Sequence, residues 1–148
     1  MAYQTKTRDP LFDSETQAAL EKRARELVGL LLIGASVLMA MMLGSYAPDD
    51  PSWLSSTDEP AQNLLGRLGA SIASPLIVIA GFGAWAIVGI LLVWGVRLCA
   101  QIGADRAVPR LIFAPIAVSL ASVYASTLLP TSEWTHSFGL GGLFGDTV

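Results

Sequence analysis

Three long stretches without a charged residue constrain this chain more than any other feature of its sequence. They cover residues 27–46, 68–96 and 111–129. A helix needs about 20 apolar residues to cross the roughly 30 Å of hydrocarbon in a bilayer. Only 14% of the 148 residues are charged and 53% are hydrophobic. We therefore expect an all-α integral membrane protein, a helical bundle with three transmembrane helices.

Prolines and polar residues divide the chain into seven segments. A helix is expected from about residue 14, since Ser14 and Gln17 have the spacing of a capping box. Pro75 and Pro115 are expected near the starts of the second and third spans, where a missing N–H is tolerated. The predicted segments are a cytoplasmic N-terminal segment (1–26), transmembrane helix 1 (27–46), an external acidic loop with an interfacial segment (47–74), transmembrane helix 2 (75–96), a cytoplasmic basic loop (97–110), transmembrane helix 3 (111–129) and an external glycine-rich tail (130–148).

The orientation follows from lysine and arginine, which accumulate on the cytoplasmic side of membrane spans. Lys22, Arg23 and Arg25 precede the first span, and segment 97–110 carries three arginines. Segment 47–67 carries only Arg67, and the tail after the third span carries none. The N-terminus and the basic loop are therefore predicted to be cytoplasmic. The first span is about 20 residues long and a signal-peptide core 7–15, which favours an uncleaved anchor.

Two features bear on association. Glu21 with Arg25 and Lys22 with Glu26 are four residues apart, so we expect ion pairs on the lead-in helix, which is either solvated or a recruitment segment for a partner protein.

Small residues allow helices to approach closely in lipid. Rows at four-residue spacing occur on spans one and three, and the candidate packing residues are Ser36, Ala40, Gly44, Ala117, Ala121 and Ala125.

The sequence predicts no catalytic, cofactor-binding or metal-binding residue. The three apolar stretches hold no Asp, Glu, Lys, Arg or His, whereas ion-coupled transporters usually place such a group within the membrane. No phosphate-binding Gly-x-x-x-x-Gly-Lys-Ser/Thr loop is present. His136 is expected at the surface. Adjacent Asp49 and Asp50 are expected to end a helix and solvate a loop rather than to act as an acid/base pair.

The stretch Tyr46-Ala47-Pro48-Asp49-Asp50-Pro51-Ser52-Trp53 resembles the Ser-Tyr-x-Pro-x-Asp-Pro-Ser-Trp signature that follows the first span of FtsK-type bacterial DNA translocases. Segment 63–70 is similar to the family's Asn-x-x-Gly-x-x-Gly-Ala element, and segment 139–146 resembles its glycine-rich lead into a fourth span. The residues that carry the resemblance are Tyr46, Pro48, Asp50, Pro51, Ser52, Trp53, Asn63, Gly66 and Gly69.

The resemblance implies the N-terminal four-span membrane domain of such a translocase, in the bacterial inner membrane at the division septum. In the family this domain anchors a linker and a hexameric ATP-driven motor. Neither the fourth span nor the motor is in this sequence, so we expect a fragment or a truncated gene product that is not itself an enzyme.

We expect this chain to need no cofactor and not to bind nucleic acid directly, because the sequence holds neither the family's ATP-binding motor nor its DNA-reading domain. Its expected partners are the lipid bilayer, membrane proteins of the division machinery and, as a hexamer, its own copies. Trp53 is expected either to meet such a partner or to lie in the interfacial aromatic belt. The alternatives are a small transport or channel subunit and an unrelated three-span interaction protein.

Overall fold

The structure, a computed structural model, describes residues 13–55, 57, 59–103, 112–130, 134 and 136–148. Within these ranges all regular structure is helical. The predictions for residues 1–12 and for the second half of the basic loop, residues 104–110, lie outside the described residues. The elements are α1 (Ser14–Gly44), α2 (Gly66–Ala80), a 3₁₀ turn (Gly81–Ala84), α3 (Trp85–Cys99), α4 (Phe113–Ser126) and α5 (Gly142–Thr147).

Helix α1 is a single helix of 31 residues that joins the charged lead-in to the first apolar stretch. Its N-cap is Asp13, whose carboxylate accepts a hydrogen bond from the Ser14 N–H at 3.1 Å. The predicted capping box at Ser14 is therefore wrong by one residue, because the acidic side chain before Ser14 already satisfies a free N–H of the first turn.

The ion pairs on the lead-in are predicted correctly in one case. Glu21 and Arg25 approach to 3.9 Å, as their spacing predicts. Glu26 instead pairs with Arg23, at 2.8 Å and three residues away, and not with Lys22. Both spacings bring side chains together on a helix surface, so the sequence alone does not choose between these two bases.

The second apolar stretch is helical from Gly66, nine residues before Pro75, where the membrane-spanning part is predicted to begin, and the helix is interrupted by the 3₁₀ turn. Pro75 lies inside α2 and not in its first turn. The interruption begins at Gly81, whose φ of +55° suits glycine. There the N–H of Phe82 donates to the Leu140 carbonyl, at 2.8 Å. A contact with the distant tail therefore replaces the helical hydrogen bond.

Helices α1 and α3 pack antiparallel along most of the length of α3. The buried residues of α1 are Gly29, Ser36 and Leu43, at heptad spacing. A Cβ added to Gly29 would lie 2.7 Å from the Gly95 carbonyl oxygen, and one added to Gly95 would lie 2.7 Å from that of Gly29. The Ser36 hydroxyl donates to the Val88 carbonyl at 2.9 Å. Two glycines therefore allow the backbones to touch where the helices cross.

Helix α4 packs through Ser122, which is fully buried. Its backbone would be 2.6 Å from a Cβ on Gly83, and its carbonyl oxygen 2.6 Å from one on Gly141. The Ser122 hydroxyl also donates to the Gly141 carbonyl. Small residues thus hold α4, the 3₁₀ turn and the glycine-rich tail together.

The pattern of burial is the reverse of that in a soluble protein. The buried core is small and rich in alanine, whereas large apolar side chains such as Leu31, Leu38 and Leu120 are exposed. Two helical runs, Ser14–Gly44 and Gly66–Cys99, are long and apolar enough to cross a membrane. Helix α4 has 14 residues, about 21 Å at 1.5 Å per residue. The fold agrees with a membrane helical bundle, and the third full span stays a prediction.

Candidate functional site

The acidic loop folds into a polar cluster at the C-terminal end of α1, here called the clasp and consisting of Ser45, Asp50 and Asn63. Asp50 is only 3% exposed. Its carboxylate accepts hydrogen bonds from the backbone N–H groups of Gln62 at 2.7 Å and Asn63 at 2.9 Å. Bonds from N–H groups to a carboxylate are stronger than those to a neutral acceptor. Asp50 therefore ties the two ends of the loop together.

Asn63 joins the loop to α1. Its side chain, 3% exposed, donates to the Met42 carbonyl at 2.8 Å and to the Ser45 carbonyl at 3.3 Å. Its side-chain oxygen accepts from the Leu65 N–H at 3.1 Å. The last carbonyls of a helix have no partner within the helix. One side-chain amide, that of Asn63, thus caps the end of α1 and fixes the backbone at Leu65, directly before α2.

Ser45 completes the clasp. Its hydroxyl donates to the Met41 carbonyl at 2.6 Å and accepts from the Leu64 N–H at 2.9 Å. Nearby, the hydroxyls of Ser52 and Ser74 are 3.2 Å apart and connect the loop to α2. These bonds fix the direction in which the chain leaves α1.

Two glycines of the motif have steric roles beside the clasp. Gly66 begins α2 with a φ of +63°. Gly69 lies against Asn63, and a Cβ there would clash with the Asn63 side chain and lie 2.8 Å from the Leu65 Cβ. A larger residue at position 69 would displace Asn63 from the end of α1.

The remaining motif residues divide into packed and exposed ones. Tyr46 is half-buried and stacks on His136, with ring centroids 5.7 Å apart. Pro51 is buried. Pro48 is exposed, and Trp53 is 88% exposed. Most of the motif therefore builds the fold, and Trp53 is presented at the surface.

His136 lies in an aromatic cluster and not freely at the surface as expected. Its ring stacks on Phe138 at 4.7 Å and meets Trp134 edge-on at 4.8 Å. Burial lowers the pKa of His136 below its ordinary value, because the charged form loses solvation. The surface prediction fails because the tail folds back over the end of α1.

The candidate packing residues are dispersed over buried and exposed positions. Ser36 and Ala125 are buried, and Ala40 and Ala121 are half-buried. Gly44 and Ala117 are exposed. Sequence reasoning missed Gly29 and Gly95, although the seven-residue interval from Gly29 to Ser36 is a signal that could have indicated the seam with α3.

The polar groups of the clasp are engaged in hydrogen bonds within the fold. Among the described residues, no group of three or more His, Cys, Asp or Glu side chains could hold a metal ion. The Asp50 carboxylate is engaged by two backbone donors. Cys99, half-buried near the end of α3, lies 3.6 Å from the Glu26 carbonyl oxygen and fills space beside Gly29.

Residues 21–148 match the family described as the 4TM region of DNA translocase FtsK/SpoIIIE. The chain belongs to this family. Three relatives, each named DNA translocase FtsK, come from Azospirillum brasilense (33% identity, 92% of this chain and 22% of the relative), Caulobacter vibrioides (38%, 79% and 14%) and Bradyrhizobium diazoefficiens (34%, 87% and 16%). The chain thus spans less than a quarter of the length of these relatives. No solved structure matches it.

Membership in the FtsK/SpoIIIE family agrees with the resemblance found in the acidic loop. The match is to the four-span region, so what the whole translocases do does not transfer directly to this chain. Within this FtsK-family domain, Asp50 and Asn63 make the clasp and Gly69 leaves room for it. The motif that indicated the family therefore has a physical role.

Proposed function

We propose that this chain is the membrane anchor and assembly module of a cell-division DNA translocase that acts in chromosome segregation. The observation that carries the proposal is the match of residues 21–148 to the four-span region of these translocases. The burial pattern supports it, because small residues pack between helices while large apolar ones face outward, as lipid requires. The domain lies in the inner membrane with its N-terminus in the cytoplasm and concentrates at the septum.

The orientation can be tested by cysteine labelling in cells. Cys99 is the only cysteine, so Cys99→Ser gives a background for the single substitutions Ser55→Cys and Ala104→Cys. A membrane-impermeant maleimide applied to spheroplasts should label position 55 and leave position 104 unlabelled until the membrane is permeabilised. Labelling of position 104 but not 55 in intact spheroplasts contradicts the orientation. Equal labelling of both contradicts the anchor itself.

We further propose that Trp53 contacts a membrane protein of the division machinery. It is 88% exposed on a loop held by the clasp, and tryptophan is enriched where binding energy concentrates. In the translocase that carries this domain, Trp53→Ala should reduce septal fluorescence of a tagged protein at least about tenfold if the contact contributes about 1.4 kcal/mol or more.

Two measurements separate partner binding from a place in the aromatic belt. Leu129→Ala, at another exposed apolar position, is the matched control and should leave septal fluorescence unchanged. Trp53 emission should resist quenching by brominated lipids in a variant whose other three tryptophans are phenylalanine. Normal septal recruitment of Trp53→Ala, or strong quenching of Trp53, would refute the contact. Hexameric association remains a proposal from family membership.

A further inference from the structure

Both ends of α2 lie at the same level along α1. Before α2, Asn63 donates to the Met42 carbonyl, and the Leu64 N–H donates to Ser45. After α2, the register of the helix pair sets the level. Gly29 lies opposite Gly95 and Ser36 opposite Val88, so seven residues further along each helix bring Leu43 level with Gly81.

Helix α2 therefore crosses the end of α1. Its 15 residues extend over about 22 Å, whereas its two ends lie within about one turn of each other in level along α1. A helix parallel to α1 would bring those ends to levels about 15 residues apart. A strong inclination of α2 to the axis of α1 is the arrangement that fits both levels.

The lengths of the paired helices set the depth of this crossing. From Glu26 to Gly44, α1 rises about 27 Å, which is close to the roughly 30 Å of the hydrocarbon layer. The 3₁₀ turn and α3 together rise about 30 Å, at 2.0 and 1.5 Å per residue. Charged residues lie at the other end of both, Arg25 and Glu26 on α1 and Arg97 on α3. The hydrocarbon boundary therefore passes near Gly44 and Gly81, at the level of α2.

The sides of α2 differ in polarity. One side is buried against the bundle and is formed by Gly69, Ala70, Ala73, Ser74, Ile77 and Ala80. Leu68, Ile72 and Ile79 are 78%, 41% and 57% exposed, and their spacings of four and seven residues place them on one side.

The polar residues of α2 lie along a different edge. Arg67 and Ser71 precede Ser74 by seven and three residues, so the three share an edge. Ser74 meets Ser52 of the polar loop there. This edge faces the loop, and the apolar side lies about 110° from it around the helix.

We propose that α2 lies in the membrane interface as an interfacial helix, with Leu68, Ile72 and Ile79 among the outer ends of the acyl chains. The apolar side of α2 is thus covered by lipid. The inference rests on the proposed membrane anchoring and adds which part of the second apolar stretch crosses the bilayer, namely Gly81–Cys99.

Two observations favour lipid over a protein. The exposed apolar residues of α2 are followed along the chain by others, Phe82 directly after the helix and Leu92 and Val93 on α3. Arg67, exposed in the first turn of α2, stands at the polar edge, where its guanidinium can reach lipid phosphates. Interfacial helices have this division, with a basic or polar side toward water and an apolar side buried about 5–10 Å into the boundary between headgroups and acyl chains.

The test measures depth in liposomes of phosphatidylcholine and phosphatidylglycerol. The full chain carries Cys99→Ser and one spin label at Ile72→Cys, Ile79→Cys, Val37→Cys, Leu92→Cys or Ser55→Cys. Relaxation by oxygen and by a water-soluble nickel chelate gives the depth of each label. Val37 and Leu92 are exposed positions well inside α1 and α3 and serve as depth references.

The labels at Ile72 and Ile79 should lie within about 3 Å of one another in depth and about 10 Å nearer the surface than the label at Val37. A difference of about 10 Å between them, expected for seven residues of an upright helix, would overturn the proposal. If the nickel chelate reaches the labels at Ile72 and Ile79 as readily as the label at Ser55, the proposal is also overturned, and the apolar side of α2 is then a surface for a protein. Water access at Val37 and Leu92 would instead refute the membrane anchoring itself.

Discussion

Asp50→Ala is expected to destabilise the domain by about 2–4 kcal/mol, whereas Asp49→Ala should change its stability by less than about 0.5 kcal/mol. The two carboxylates are neighbours in sequence but differ in environment. Asp50 is buried and accepts two backbone N–H groups, which would lose their partner, and Asp49 is exposed. A buried donor without an acceptor costs most of its desolvation free energy.

The comparison uses reversible unfolding in mixed micelles of dodecyl maltoside and SDS, followed by helical circular dichroism. The midpoint for Asp50→Ala should fall well below that of the wild type, and the midpoint for Asp49→Ala should match it. Asn63→Leu, which removes the cap on α1, should resemble Asp50→Ala. Equal midpoints for the two aspartate variants would show that the clasp does not stabilise the fold.

Gly29→Leu is the second substitution with a large expected effect. The new side chain would start 2.6 Å from the Cys99 Sγ and 2.7 Å from the Gly95 carbonyl oxygen, so α1 and α3 would have to separate. Overpacking of this kind costs about 1–3 kcal/mol or more. Gly34→Leu, on the same helix with no atom within 4 Å of its added Cβ, is the matched control and should raise stability slightly through higher helix propensity.

A disulfide provides the measurement for the helix pair. The double variant Ser36→Cys and Val88→Cys places two cysteines where α1 and α3 are in contact, since the Ser36 hydroxyl donates to the Val88 carbonyl. Oxidation should link the two cysteines readily. Adding Gly29→Leu should lower the rate of crosslinking several-fold, and adding Gly34→Leu should not. If both leucine variants crosslink as fast as the parent, the crossing at Gly29 and Gly95 is wrong.

Apolar length predicts the helical class, the spacing of Ser14 and Gln17 predicts a helix from about residue 14, and the motif in the acidic loop indicates the family. These patterns do not locate the break at Gly81, because residues 68–96 are uncharged throughout and contain several glycines. The break depends on the hydrogen bond from Phe82 to Leu140, which is a contact between distant parts of the chain. Local propensity contains no information about it.

The candidate site was predictable only in part for a related reason. The motif identified Asp50 and Asn63, but a sequence read residue by residue suggests that loop carboxylates are solvated. Burial of Asp50 becomes favourable only when the loop closes and supplies two N–H donors. His136 was misjudged in the same way, since Tyr46 and Phe138 surround it only after the tail has folded back.

The uninterrupted course of α1 has a mechanical consequence. A helix of 31 residues is a stiff rod about 46 Å long, and in this chain its far end is gripped by the clasp. A lateral pull that tilts the rod by 10° moves one end by about 8 Å relative to the other. Because the clasp holds the C-terminal end of this helix, a tilt of the charged lead-in is transmitted along α1 to the acidic loop that carries Trp53.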